Sequence, residues 1–101
     1  MSQEQTRDEN FYKRADAHIA LANNQIDEGQ INPVLSNDSL LYGAARFNSW
    51  IVAASFKNGE DMKNDKENAL NYFTNAYRAM LEEHLDDYIK NFNSYMGPKE
   101  S

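Results

Sequence analysis

The sequence predicts an all-α fold, an antiparallel (up-down-up) bundle of three helices with a long C-terminal helix. Three segments have apolar residues at steps of three and four positions, which is the period of an amphipathic helix. Short connections that contain glycine or proline separate these segments. Helices joined by short connections pack as antiparallel neighbours, and this predicts the topology of the bundle.

Helix one is expected from about Arg7 to Glu28. Thr6 and Glu9 have the spacing of a capping box, in which each side chain meets a free backbone N–H of the other residue. We expect Gly29 to end the helix in the left-handed conformation and Pro33 to prevent its continuation. The predicted apolar stripe consists of Tyr12, Ala15, Ile19, Ala22 and Ile26.

Helix two is expected from about Asn37 to Lys57, with Ser36 as its N-cap and Asn58-Gly59 as its end. Apolar side chains cover most of its circumference, which predicts that it is the most buried of the three helices. Its main apolar face consists of Leu40, Leu41, Ala44, Phe47, Ile51 and Val52.

Helix three is expected to begin after Asn64, which forms a second capping box with Glu67, and to continue to Met96 before Gly97-Pro98. At this length it extends beyond its partners by about two or three turns. The overhang is apolar, so either the chain breaks and folds back there or another protomer covers it. The predicted interface residues at this end are Tyr88, Ile89, Phe92 and Tyr95, followed by Met96.

The length of 101 residues fits a single helical domain, with residues 1–6 and 97–101 as frayed tails. The chain has ten basic and sixteen acidic residues, a formal net charge of −6. Its basic residues are scattered, which makes nucleic acid and anionic membranes poor partners. The absence of cysteine excludes thiolate chemistry, and no apolar run approaches the roughly 20 residues that span a bilayer. We therefore expect a cytoplasmic protein.

Three segments are distinctive in combination: FYKRADAHIALANNQ at Phe11–Gln25, LYGAARFNSW at Leu41–Trp50 and YRAMLEEHLDDYI at Tyr77–Ile89. Together they resemble a small bacterial family known as domain of unknown function 3144. The resemblance implies a bacterial origin and a short, stand-alone helical protein, and it supplies no activity, cofactor or partner. The typical polar positions of the family correspond to Asp16, Asn23, Arg46, Asn48 and Asp87, with His84 at a position where asparagine is expected.

Arg46 is the most unusual polar residue, because it lies on an otherwise apolar helix. A guanidinium is rarely buried without a carboxylate partner, so we expect Arg46 to pair with Asp16 or, failing that, with an acid on helix three. Asn48, Asn23 or Tyr77 is expected to join this network. Such a pair would fix the register of the helices. Alternatively, Arg46 would bind an anionic ligand, because its planar donors fit carboxylate and phosphate groups.

The two histidines and the acidic residues of helix three are further candidates for a functional site. His84 falls within the apolar arc of helix three, where a hydrogen-bonded structural role competes with that of a general base. Position 81 is leucine, so the Glu-x-x-His spacing of metal-binding bundles is absent. We therefore expect a solvated acidic face and neither a metal nor a cofactor.

These observations favour a non-enzymatic module that forms homo-oligomers or binds another protein. The overhanging apolar end of helix three and the aromatic residues off the main stripes motivate this hypothesis. The alternative is a small anionic-ligand binder or weak enzyme that uses Arg46, Asp16, Asn48 and His84 between helices.

Overall fold

The computed structural model describes residues 7–97 and shows them to be helical, with no strand among them. The all-α class is therefore confirmed for this part of the chain. The helices are α1 (Phe11–Gly29), α2 (Pro33–Ala54), α3 (Gly59–Asn64), α4 (Lys66–Lys90) and α5 (Phe92–Met96). The chain divides after Lys57 into two compact units, the first with α1 and α2 and the second with α3, α4 and α5. Thus α1, α2 and α4 correspond to the predicted helices, and α3 and α5 are additional. Of the predicted tails at 1–6 and 97–101, all residues except Gly97 lie outside the described residues.

Helix α1 begins at Phe11, four residues later than expected. Thr6 of the predicted capping box lies outside the described residues, and Asn10 occupies the N-cap position without a side-chain hydrogen bond. The start is held by Asp8, whose carbonyl accepts from the Phe11 backbone N–H and whose carboxylate pairs with Arg14 at 2.6 Å. Gln30, with φ 50°, takes the left-handed conformation that was expected at Gly29.

Helix α2 begins at Pro33, so the prediction of Ser36 as its N-cap is wrong. The side chain of Asn32 caps this helix by accepting a hydrogen bond from the backbone N–H of Val34 at 2.9 Å. Proline suits the first helical position, because its fixed φ is already helical and no N–H is needed there. Pro33 therefore starts the second helix as well as preventing the first from continuing.

Ser36 instead joins the first two helices. It is 2% exposed, and its hydroxyl donates to the backbone carbonyl of Ala22 on α1 at 3.0 Å. The side-chain oxygen of Gln25 lies 3.3 Å from the same hydroxyl. Within residues 7–97, Ser36 is the one residue that is buried. A small polar side chain therefore lies where α1 and α2 contact each other.

Polar side chains also set the boundaries of the second unit. Helix α2 ends at Ala54, and Asn58, expected to end it, instead caps α3 by accepting from the backbone N–H of Asp61 at 2.9 Å. The predicted capping box of Asn64 and Glu67 is wrong as well. The residue before α4 is Asp65, whose carboxylate accepts from the side chain of Asn68 at 2.9 Å.

The long C-terminal helix is interrupted at Asn91. Helix α4 has 25 residues and ends at Lys90, and α5 follows as a separate short helix that contacts α4. The expected break is therefore present, and cover of the apolar end by another protomer stays a prediction. Gly97, with φ 74°, follows α5 in a conformation that glycine adopts readily.

None of the apolar side chains of the described residues is buried, so each of them is at least partly exposed. This includes α2, which was expected to be the most buried helix. Its Phe47 and Trp50 are 61% and 64% exposed. An apolar helix face without cover is unfavourable in water, and exposed apolar surface of this kind is typical of sites of protein interaction.

Ser36→Ala tests the contact between α1 and α2. The variant loses one intramolecular hydrogen bond, so the free energy of unfolding should fall by about 1 kcal/mol. The matched control is Ser49→Ala on the same helix, because the Ser49 hydroxyl is exposed and bonds only to the carbonyl of Ala45, one turn earlier. The control should change stability by less than about 0.5 kcal/mol. Urea unfolding of both variants measures the difference, and equal effects would contradict the assigned contact.

Candidate functional site

The four predicted binding residues are distributed over both units. Asp16 lies on α1, Arg46 and Asn48 lie on α2, and His84 lies on α4. Asn48 is half-buried and the other three are exposed. Among residues 7–97, no hydrogen bond or ion pair joins the side chains of Asp16 and Arg46, although their helices contact each other. A role for these four residues in binding stays a prediction.

The described part of the chain lacks two other kinds of feature, a metal-binding cluster and a helix that could span a membrane. No three His, Asp or Glu side chains there are close enough together to hold a metal ion. None of the helices described combines the length and the apolar character that crossing a membrane requires.

A polar cluster at the junction of α4 and α5 holds the break in place. Both carboxylate oxygens of Asp87 accept hydrogen bonds, one from the Tyr95 hydroxyl at 2.7 Å and one from the side-chain amide of Asn91 at 2.8 Å. The ring of Tyr95 also lies 4.5 Å from that of Tyr88, measured between centroids. Asp87 therefore connects the last turn of α4 to α5.

The hydrogen bonds of this cluster change the titration of two groups. The Tyr95 hydroxyl, followed by the Asn91 amide, lowers the pKa of Asp87, because both donors favour the charged carboxylate. The pKa of Tyr95 is raised, because its proton is held by the Asp87 carboxylate and a phenolate would face a negative charge. The spacing of four residues between Asp87, Asn91 and Tyr95 was a signal in the sequence, but the break that brings them together was not predicted.

One face of α4 carries a line of large apolar side chains, which Thr74 interrupts between Leu70 and Tyr77. Leu70, Tyr77, Leu81, Leu85 and Tyr88 follow one another at helical spacing and form what we call the α4 stripe. Each of the five is between 41% and 53% exposed. This surface continues towards α5 with the predicted interface residues, which are Tyr88, Ile89, Phe92 and Tyr95. All four are at least 42% exposed. The prediction of an interface at this end of the chain stays a prediction.

A second exposed apolar surface lies on α2. The rings of Phe47 and Trp50 are stacked, with centroids 6.0 Å apart and planes 20° from parallel. Aromatic side chains bury large areas and are frequent at the centre of protein interfaces. Both surfaces are therefore suited to contact with another protein.

Comparison with known proteins assigns the chain to a family. The family model described as "Protein of unknown function (DUF3144)" matches residues 11–89. The chain belongs to this family. The match begins at the first residue of α1 and ends one residue before the end of α4, so it includes the α4 stripe and Asp87 but not α5.

A solved structure supports the fold of this chain. The chain is similar to the protein NB7890A from Shewanella sp., determined by NMR, with a TM-score of 0.78 and 32% sequence identity. The similarity covers 94% of this chain and 99% of NB7890A. No curated protein matches the chain.

Tyr95→Phe tests the junction between α4 and α5. It removes the hydroxyl that donates to Asp87 and keeps the ring beside Tyr88, so the pKa of Asp87 should rise towards its ordinary value of about 3.9. Asn91 still donates to the carboxylate, so the rise should be partial. An NMR titration of the Asp87 carboxyl carbon measures it. Tyr42→Phe is the control, because Tyr42 is 78% exposed and far from Asp87 along the chain. An unchanged Asp87 pKa in Tyr95→Phe would contradict the contact.

The same cluster predicts how stability depends on pH. The pKa of Asp87 is lower in the folded state, so its contribution is present above the unfolded pKa of about 3.9 and is lost as the pH falls through the folded pKa. The pKa of Tyr95 is higher in the folded state, so its contribution is present below about pH 10 and is lost as the pH rises through the folded pKa. The difference in stability between the protein and Tyr95→Phe should therefore shrink at both extremes of pH, which unfolding at a series of pH values measures.

Proposed function

We propose that this protein is a non-enzymatic helical module that associates with copies of itself through the α4 stripe. The observation that carries the proposal is the exposure of five large apolar side chains on one face of the longest helix. Contiguous exposed apolar surface of this kind is typical of sites of protein interaction. The stacked Phe47 and Trp50 on α2 support the same class of function and offer a second surface.

The expected strength of association follows from the apolar area that remains exposed. Complete burial of a large apolar side chain contributes about 1.5 to 3 kcal/mol, so a half-exposed one retains roughly 1 kcal/mol. Two stripes together therefore contribute on the order of 10 kcal/mol before the cost of association. That cost is about 4 to 15 kcal/mol, which predicts a reversible complex whose population depends on concentration.

The competing arrangement is the three-helix up-down-up bundle predicted from the sequence. In that arrangement, α1 and α2 of the same chain would cover the α4 stripe, and the protein would remain a monomer at all concentrations. The two arrangements therefore differ in how the molecular mass in solution depends on protein concentration. We also propose a bacterial origin, which the family resemblance implies. The composition favours a cytoplasmic location, which is part of the same proposal.

Leu81→Glu tests the role of the α4 stripe. It places a charge at the middle of the stripe, where association would have to bury it in both copies, so the dissociation constant should rise by at least about a hundredfold. Sedimentation equilibrium over a range of concentrations measures the change against the chain mass of 11.6 kDa.

Ala79→Glu is the matched control for this variant. It adds the same side chain two positions away, on the opposite side of α4 and at an exposed position, so it should leave the dissociation constant unchanged. Two results would contradict the proposal. One is a constant monomer mass for the unsubstituted protein, and the other is association that Leu81→Glu leaves intact.

A further inference from the structure

We propose that the partner is a second copy whose α4 runs antiparallel to the first, with the two-fold axis between the two stripes at the height of residue 79 along the helix. This inference rests on the proposed function and adds the orientation and register of the two chains. Its basis is twofold. The two halves of α4 differ in charge, and the apolar residues of the α4 stripe match across the midpoint of the stripe.

The charges along α4 are unequally distributed. The half from Lys66 to Arg78 has two basic residues and one acidic residue, a net charge of +1. The half from Ala79 to Lys90 has one basic residue and four acidic residues, a net charge of −3. Two parallel helices would place the two −3 halves side by side. Two antiparallel helices place each −3 half beside a +1 half, so electrostatic repulsion is replaced by attraction.

The apolar side chains match across the same axis. The α4 stripe extends from Leu70 to Tyr88 and its midpoint is residue 79. An antiparallel pair centred there places Leu70 opposite Tyr88 of the second copy, and Tyr77 opposite Leu81 of the second copy. Each opposed pair therefore combines an aromatic and an aliphatic side chain, and the contact is the same from either copy, as a two-fold interface requires.

The available area fits a reversible dimer. Five half-exposed large side chains offer on the order of 400 to 500 Å² per copy, or about 1,000 Å² in the pair. Specific, stable interfaces bury about 1,200 to 2,000 Å², so the α4 contact lies just below this range, where weak and transient complexes are found. The dimer should therefore dissociate on dilution.

Single spin labels measure the orientation directly. The chain has no cysteine, so Glu67→Cys, Ala79→Cys and Lys90→Cys each introduce one unique attachment site at an exposed position of α4. Pulsed dipolar EPR then gives the distance between the labels of the two copies in the full-length protein. Mixing with an excess of unlabelled protein is the control, because it should suppress any signal between copies.

The antiparallel pair predicts three different distances. Ala79 lies at the height of the axis but on the outer side of each helix, so its labels should be separated by roughly 25 Å across the two helices. Glu67 and Lys90 lie at opposite ends, so each should give roughly 40 Å, given a rise of 1.5 Å per residue. A parallel pair would give a similar short distance at all three positions and would overturn the proposed orientation while leaving self-association intact.

Two other outcomes separate this inference from the proposed function. Long distances at all three positions in a protein that sediments as a dimer would show that another surface forms the contact, which would overturn the inference and the role of the α4 stripe. A protein that sediments as a monomer and gives no signal between copies would overturn the proposed function itself.

Discussion

An amphipathic helix in water must bury its apolar face, and the α4 stripe shows this constraint most clearly. Five large side chains from Leu70 to Tyr88 lie on one side of α4, and each is half-exposed. Helix α4 has 25 residues, but helix propensity alone gives little stability to such a segment in water. Most helical stability in proteins comes from packing of the apolar face, so the surface that covers the stripe also stabilises the helix. In the proposed dimer, one contact therefore serves both the stability of α4 and the association of the two copies.

Short polar side chains decide where the helices begin and end. Asn32 and Asn58 cap α2 and α3, and Asn91 interrupts the long C-terminal helix. Asparagine is a weak helix former, because its side chain bonds to nearby backbone groups and so favours caps and turns. Asparagine is thus the residue that precedes α2, α3 and α5. Asp87 adds to this effect, because it holds α5 against the end of α4 through Asn91 and Tyr95.

The sequence predicted the helical class and the three main helices, because the apolar period is a local property of the chain. It did not predict that Pro33 starts α2, because a proline between two helices is compatible with either the end of one or the start of the next. Because α2 was predicted to start after Pro33, Ser36 was predicted to be its cap. The burial of Ser36 instead depends on the backbone of Ala22, 14 residues earlier. The contact of Tyr95 with Asp87 also requires the break at Asn91. Long-range contacts and breaks of this kind depend on tertiary structure, which a periodic pattern does not contain.

The dependence of thermal stability on protein concentration tests the central claim most directly. If a second copy covers the α4 stripe, association stabilises the folded state by mass action, and the midpoint of thermal unfolding should rise as the concentration is increased a hundredfold. Circular dichroism at the helical band measures this midpoint without any label or substitution. A midpoint that stays constant over that range would show that each chain covers its own apolar faces, and it would contradict the account.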